Sequence, residues 1–223
     1  MLKLIKKLIK LIKEGHPNSY RYQRNWAKRY INSRDNLYSD SWGKIDCYNS
    51  GLGDYRKISM DIRTFANPYP KEVVDLGCLD GKWSIELAKY FHKVHCVDLT
   101  DELHSLLATK LKDKMGIFYK TSGNELRGFE EKSVDLIFSM DSLVRCPLSD
   151  IKNYFKDFFR ILRGGGVIYL HLPCKEKPRS VSKGFTSISI IEIESLLIKT
   201  GFVKIEIDLE ILEHGIIVKG YKI

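Results

Sequence analysis

The stretch VVDLGCLDGKW, residues Val73–Trp83, decides the fold of the chain. An apolar run leads into Asp75, and Gly77 and Gly81 follow four residues apart before a helix-forming segment begins. A glycine-rich turn between a strand and a helix brings backbone N–H groups close to a nucleotide-like ligand. We therefore expect this turn to form one wall of a ligand-binding site.

Short Val- and Ile-rich runs alternate with amphipathic segments after Pro70. The pattern predicts strands at 72–76, 93–99, 116–120, 133–140 and 166–172, and helices at 82–91, 101–114 and 150–163. Ser149 is the expected N-cap of the last helix, and Gly164–Gly166 the expected stop. Such alternation indicates a doubly wound, Rossmann-like α/β fold with a mostly parallel sheet.

The last part of the sequence changes pattern. A helix over 190–200 is expected to stop at Gly201, and two strand-like runs follow with Glu213, His214 and their neighbours between them. Two adjacent runs joined by a short turn favour an antiparallel hairpin. We therefore predict a seven-stranded, mostly parallel sheet that ends in an antiparallel β-hairpin.

The composition excludes several classes of protein. Of 223 residues, 43% are hydrophobic and 29% charged, and no apolar run approaches the ~18 residues of a membrane span. The five cysteines and six histidines are scattered, without a C-x-x-C or H-E-x-x-H pattern. Neither a disulfide framework nor a metal site is predicted, and a reducing cytoplasm suits such cysteines.

Residues 1–14 form a basic amphipathic segment, MLKLIKKLIKLIKE. At about 100° per residue, its leucines and isoleucines share one face and its lysines the other. We expect a helix over residues 1–13 that lies on an anionic membrane surface, which would make the protein cytoplasmic and peripheral to the inner membrane. A contact in a homo-oligomer and packing on the chain's own domain are the alternatives.

Residues 15–70 are rich in Tyr, Trp, Arg and Asn and are predicted to form a helical extension and lid, with a helix over about 54–66. Residues 1–66 carry 14 Lys and Arg against 6 Asp and Glu, so most of the net charge of +9 lies there. Aromatic and arginine side chains bind nucleic acid or cover polar ligands such as sugars. Tyr30 and Trp42 are our candidate acceptor contacts, and plain packing is the alternative.

Several motifs together resemble those of the class I S-adenosylmethionine-dependent methyltransferases. They are VVDLGCLDGKW, VHCVDL, SVDLIFSMDSLV, FFRILRGGGVIYLHL and IKTGFVKIEI, and they cover residues 71–223. Leu79 stands where the family usually has a glycine. A dinucleotide dehydrogenase is the main rival, but its G-x-G-x-x-G spacing is absent and its fold usually continues with another βαβ unit.

The resemblance implies S-adenosylmethionine as cofactor. The loop glycines would pass close to its methionine part, Asp75 would lie near its ammonium group, and Asp98 would accept hydrogen bonds from its ribose. Leu99 and Asn124 would flank the adenine. The predicted cofactor contacts are Asp75, Gly77, Cys78, Gly81, Asp98, Leu99 and Asn124.

Methyl transfer requires alignment of donor and acceptor and, for a hydroxyl, removal of its proton. Asp141 and His171 follow or end strands of the predicted sheet and are the candidate bases. Asp141 as a helix cap and His171 as a structural histidine are the alternatives. Arg145 and His214 are candidate contacts for an anionic acceptor.

FSMDSLV and the histidine-bearing strand also resemble small bacterial methyltransferases that modify sugars in polysaccharide synthesis. With the amphipathic N-terminus, this predicts O-methylation of a sugar hydroxyl in an O-antigen-like glycan at the membrane surface. An RNA methyltransferase that grips its substrate with the basic extension is one alternative. A small-metabolite O-methyltransferase and a noncatalytic protein of the same fold are the others.

Overall fold

The computed structural model describes residues 52–69, 71–182 and 184–223, together with Asn25. The predicted segment 1–14, most of 15–70, and the candidate contacts Tyr30 and Trp42 lie outside the described residues. None of the described helices combines the length and hydropathy needed to span a bilayer.

The described helices are α1 (Leu52–Phe65), α2 (Lys82–Leu87), α3 (His104–Leu111), α4 (Leu148–Ile161), α5 (Pro178–Ser182) and α6 (Ile190–Thr200). The strands are β1 (Glu72–Leu76), β2 (Lys93–Asp98), β3 (Met115–Lys120), β4 (Val134–Ser139), β5 (Leu162–Leu172), β6 (Val203–Asp208) and β7 (Ile216–Tyr221). Two short 3-10 turns cover Lys112–Lys114 and Leu143–Arg145.

The strands form one seven-stranded sheet in the order β3-β2-β1-β4-β5-β7-β6. The pairs among the first five strands are parallel, and both pairs made by β7 are antiparallel. The predicted doubly wound sheet with a final hairpin is confirmed. Because β1 lies between β2 and β4, the chain reverses direction across the sheet at the carboxyl end of β1, where ligands bind in such folds.

Apolar side chains cover both faces of the sheet. Neighbouring residues of β1 point in opposite directions, so Val73 belongs to one buried cluster and Val74 to the other. Ile58 and Ile62 of α1 pack in the cluster of Val73, while α4 and α6 contribute to the cluster of Val74. Burial on both faces explains why the parallel strands read as continuous apolar runs rather than as alternating ones.

Two predicted boundaries of α4 are wrong. The helix begins at Leu148 with Pro147 as its N-cap, so Ser149 lies inside its first turn. It ends at Ile161, and Gly164–Gly166 lie within β5 rather than terminating the helix. The glycines join the sheet because Gly165 donates its N–H to the carbonyl of Lys222 at 2.7 Å, beyond the end of β7.

The helix α6 ends as predicted, at Gly201, which has a left-handed φ of 108°. Its other end is fixed by a capping box in which Ser189 and Glu192 exchange hydrogen bonds. The predicted antiparallel hairpin follows at the edge of the sheet, where β7 pairs with β5 and β6 is the outermost strand. Its connection, residues 209–215, carries His214 toward the end of β5.

Candidate active site at the carboxyl edge of the sheet

The loop after β1 takes a conformation that favours glycine at three positions. Gly77 and Gly81 have φ values of 82° and 84°, and Leu79 has a φ of 42°. A left-handed residue other than glycine costs roughly 1–2 kcal/mol. The loop therefore needs left-handed backbone at the position where the resembling family usually has a glycine, and Leu79 adopts it.

The glycine loop lies against its neighbours with no room for side chains. The N–H of Gly77 donates to the carbonyl of Val97 at 2.7 Å, which fastens the loop to β2. A Cβ atom on Gly77 would lie 2.2 Å from Oγ of Ser142, and one on Gly81 would lie 2.3 Å from Cδ2 of Leu107. The loop is thus packed directly against the turn that follows β4.

Two acidic residues of the predicted cofactor site are buried. Asp75 is 2% exposed, and its Oδ2 accepts a hydrogen bond from the Ser84 hydroxyl at 2.5 Å. Burial raises the pKa of Asp75 to about 7. Asp98 accepts hydrogen bonds from the backbone N–H groups of Leu79 at 3.0 Å and Thr100 at 3.1 Å, and burial raises its pKa as well. Asp98 therefore ties the glycine loop to β2.

The loop after β3 lies beside Asp98. Thr121 donates its N–H to the carbonyl of Asp98 at 2.9 Å, and the Asn124 side chain donates to Asp150 of α4 at 3.4 Å. Leu99 is half-buried, while Cys78 is buried, and burial raises the pKa of its thiol. The structure therefore brings the predicted cofactor residues to one edge of the sheet, and their individual roles remain predictions.

A second group forms where β4, β5 and the β6–β7 connection meet. Oδ1 of Asp141 lies 2.9 Å from Nδ1 of His171 and 3.6 Å from Nε2 of His214. The Asp141 side chain is 38% exposed, whereas those of His171 and His214 are 0% and 8% exposed. We call these three residues the Asp–His cluster, and its carboxylate is the member that reaches solvent.

The surroundings of the Asp–His cluster keep Asp141 ionised. Burial opposes its charge, but hydrogen bonding and attraction from His171 and His214 hold its pKa well below the usual range. Burial lowers the pKa of His171, while the carboxylate of Asp141 acts in the opposite direction. Nδ1 of His171 lies 2.9 Å from Oδ1 of Asp141 and also accepts the backbone N–H of Asp141 at 3.3 Å, so the side chain and the backbone of Asp141 both contact this ring nitrogen.

The other nitrogen of His171 points into the protein. Nε2 is buried without a hydrogen-bond partner among the described residues. A Cβ atom on Gly215 would lie 2.1 Å from it, so the backbone of Gly215 covers this nitrogen. His171 is therefore placed to orient Asp141 rather than to reach an acceptor directly.

Aromatic rings border the Asp–His cluster. The rings of His171, His214 and Phe185 have centroids 5.2–6.0 Å apart in edge-on arrangements. The guanidinium carbon of Arg145 lies 5.1 Å from the centroid of Phe185. Asp141 thus stands beside a wall that offers ring surface and a positive charge.

The structure brings together four residues that the sequence proposed separately: Asp141, His171, Arg145 and His214. It also shows Phe185 and Ser142, which sequence reasoning missed. Phe185 lies in a polar loop without periodicity, and no local pattern marks it. The contact of Ser142 with Gly77 depends on β1 and β4 being neighbours, which only the strand order reveals.

A sheet of this order, with a glycine loop after β1 and an acid at the end of β2, is the fold of the class I S-adenosylmethionine-dependent methyltransferases. Residues 73–166 match the family model described as a methyltransferase domain. This segment is therefore similar to a methyltransferase domain, and the comparisons support S-adenosylmethionine as the cofactor.

Similar proteins agree with this assignment. The chain is 29% identical over 103 residues to a Bacillus subtilis protein named as methyltransferase YqeM. The alignment covers 45% of this chain and 42% of that protein. It spans less than half the length of the curated relatives it matches.

Solved structures share the fold. A Pyrococcus horikoshii protein has a TM-score of 0.65 at 17% identity, covering 84% of this chain and 94% of that one. The 1,6-didemethyltoxoflavin-N1-methyltransferase of Burkholderia thailandensis, solved with its substrate and S-adenosylhomocysteine, has a TM-score of 0.62 at 17% identity. That match covers 91% of this chain and 89% of the other.

Proposed function

We propose that this protein transfers the methyl group of S-adenosylmethionine to a sugar hydroxyl, in the synthesis of an O-antigen-like polysaccharide at the inner membrane surface. The observation that carries the proposal is the position of Asp141. Its exposed, ionised carboxylate lies two residues after the end of β4, and the next residue, Ser142, packs against Gly77 of the glycine loop.

The cofactor is proposed to lie over the glycine loop. Gly77 and Gly81 leave the backbone bare, so the methionine part approaches closely. Asp98 would accept hydrogen bonds from the ribose hydroxyls, as an acid at the end of the second strand does for adenosine ligands. Asn124, held by Asp150 beside Asp98, would face the adenine.

Methyl transfer then needs one proton to be removed. The acceptor oxygen attacks the methyl carbon as the bond from carbon to sulfur breaks, which gives a methyl ether and S-adenosylhomocysteine. The hydroxyl proton becomes strongly acidic as the new bond forms, so a weak base placed within hydrogen-bond distance is sufficient. Asp141 is that base in our proposal, and His171 holds its carboxylate in place.

The wall beside Asp141 suits a sugar. Apolar C–H faces of a sugar ring stack on aromatic side chains such as Phe185, and Arg145 offers charge for an acidic group of the same glycan. These contacts favour a polar cyclic acceptor over an extended apolar one.

The membrane location rests on the sequence of residues 1–13. Deleting them should abolish binding to vesicles of anionic lipid, because the apolar face supplies burial in the lipid and the lysine face supplies attraction to the headgroups. Vesicle sedimentation measures this, with neutral vesicles as the control. A truncated protein that still sediments with anionic vesicles would contradict the anchor, and unchanged cofactor affinity would show that the domain is intact.

The acceptor is tested by label transfer. Purified full-length protein and methyl-labelled S-adenosylmethionine are incubated with separated glycolipid and polysaccharide, total RNA, and small metabolites. Label in the glycan fraction that depends on Asp141, as judged by the Asp141→Asn variant, would support the proposal. Label confined to RNA or to small metabolites would replace the sugar by one of those acceptors.

A further inference from the structure

We propose that Asp141, His171 and His214 form a binding site for one divalent transition-metal ion. The ligands would be one carboxylate oxygen and two imidazole nitrogens, one from each residue. The sequence predicts no metal site, because the three residues are far apart along the chain and form no local motif.

The distances among the three ligand atoms fit a single ion. Oδ1 of Asp141 lies 2.9 Å from His171 and 3.6 Å from His214, and all three atoms lie within 4.8 Å of one another. A triangle with sides of 2.9 and 3.6 Å and a third side no longer than 4.8 Å has a circumscribed radius of at most about 2.4 Å. Zinc bonds to histidine nitrogen and carboxylate oxygen are about 2.0–2.2 Å long. An ion at the centre therefore needs shifts of only a few tenths of an ångström.

The ligand set selects the class of metal. Two imidazoles and a carboxylate suit zinc, iron, cobalt, nickel or manganese. Magnesium and calcium prefer sites made of oxygen ligands and are disfavoured. We therefore expect binding of Zn²⁺ and Co²⁺ in preference to Mg²⁺.

Rigid elements hold the three ligands. His171 lies on β5, an interior strand, and pairs in register with Ile217 of β7. Gly215 lets the connection bearing His214 pass directly over the ring of His171, since any side chain there would collide with it. Asp141 is held in a left-handed conformation, with a φ of 58°. The ligands are thus largely in place before an ion arrives.

The exposure of Asp141 leaves coordination positions free on the solvent side. Three protein ligands with an open position are typical of catalytic rather than structural metal sites. An oxygen ligand from an acceptor would have its pKa lowered there. The metal-site proposal rests on the geometry of the Asp–His cluster alone, and it does not depend on which acceptor is methylated.

Calorimetric titration of Zn²⁺ into untagged, chelator-treated full-length protein tests the proposal. We expect one ion per chain, and Co²⁺ should give the visible absorption of a nitrogen- and oxygen-ligated site. His214→Gln, which keeps the size of the side chain, and Asp141→Ala should each weaken binding by about tenfold or more. His104→Ala removes an exposed histidine stacked on Phe118 and is the matched control.

Equal Zn²⁺ affinity in wild type, His214→Gln and Asp141→Ala would overturn the proposal, as would the absence of binding by the wild type. Circular dichroism of each variant shows that it is folded. Because metal binding is read without cofactor or acceptor, its failure is separate from a failure of methyl transfer.

Discussion

Asp75 and Asp141 lie near the carboxyl ends of neighbouring parallel strands, yet their surroundings drive their pKa values in opposite directions. Asp75 is sealed beneath the glycine loop, where burial raises its pKa to about 7. Burial also disfavours the ionised form of Asp141, but hydrogen bonding to His171 and His214 holds its pKa below the usual range. One edge of the sheet thus holds a carboxyl that is easily neutralised on the proposed cofactor side and one that favours its ionised form on the proposed acceptor side.

The largest expected effect concerns Asp75. An unfolded aspartate ionises near pH 4, so between pH 4 and 7 the folded protein binds one proton more than the unfolded chain. The contribution of Asp75 to the free energy of unfolding should therefore fall as pH rises, by up to about 4 kcal/mol over this range. Asp75→Asn removes the titration, so urea unfolding should show the variant gaining stability relative to wild type from pH 4 to 7. A constant difference would mean that Asp75 is ionised throughout.

The second prediction separates the role of Asp141 in methyl transfer from cofactor binding. Asp141→Asn should lower turnover by ~100-fold or more, because an amide cannot accept the acceptor proton. Affinity for S-adenosylmethionine, measured by calorimetry, should stay within about twofold of wild type, or about 0.4 kcal/mol, because no cofactor contact is lost. Near-normal turnover would remove Asp141 from the reaction.

The third prediction tests the contact between Gly77 of the glycine loop and Ser142, which follows β4. Gly77→Ala should destabilise the protein by roughly 2–4 kcal/mol, because the new Cβ collides with Ser142 and the residue must keep a positive φ. Gly165→Ala is the matched control, since Gly165 has a φ of 80° with nothing within 4 Å of the added atom. It should cost only about 1 kcal/mol. Equal losses in thermal unfolding would mean that the approach of Ser142 is unimportant.

The smallest expected effect concerns Asp98. Asp98→Asn keeps the size of the side chain but loses its charge, so the affinity for S-adenosylmethionine should fall about tenfold, or about 1.4 kcal/mol. Turnover at saturating cofactor should change little, because Asp98 lies away from the proposed base. An unchanged affinity would exclude the ribose contact.

The cofactor side could be predicted largely from the sequence because it is local. A strand, two glycines and a helix follow one another within Val73–Trp83, and the resemblance covers the same residues. Even Leu79, which breaks the family pattern, takes the left-handed conformation that the pattern requires. Backbone geometry of this kind is set by neighbours in the chain, so spacing alone reveals it.

The acceptor side could be predicted only in parts. Asp141, His171 and His214 were each proposed, but their meeting depends on β5 and β7 being neighbours, with the connection 209–215 folded over the end of the sheet. Nothing in the local pattern distinguishes this order from a simple hairpin placed beside β5. Likewise, the run Gly164–Gly166 taken by itself predicts the end of a helix. These residues belong to β5 because Gly165 and Gly166 form backbone hydrogen bonds with Lys222, next to β7.

The strand order also constrains how the protein can be assembled. β7 follows β6 along the chain but lies between β5 and β6, so β6 has no partner in the sheet until β7 has been made and inserted. Until then, β5 presents the apolar run Val167–Leu172 as an open edge, which is a hazard for aggregation. Pairing of β7 with β5 therefore covers this edge and, through the connection 209–215, also brings His214 to the Asp–His cluster.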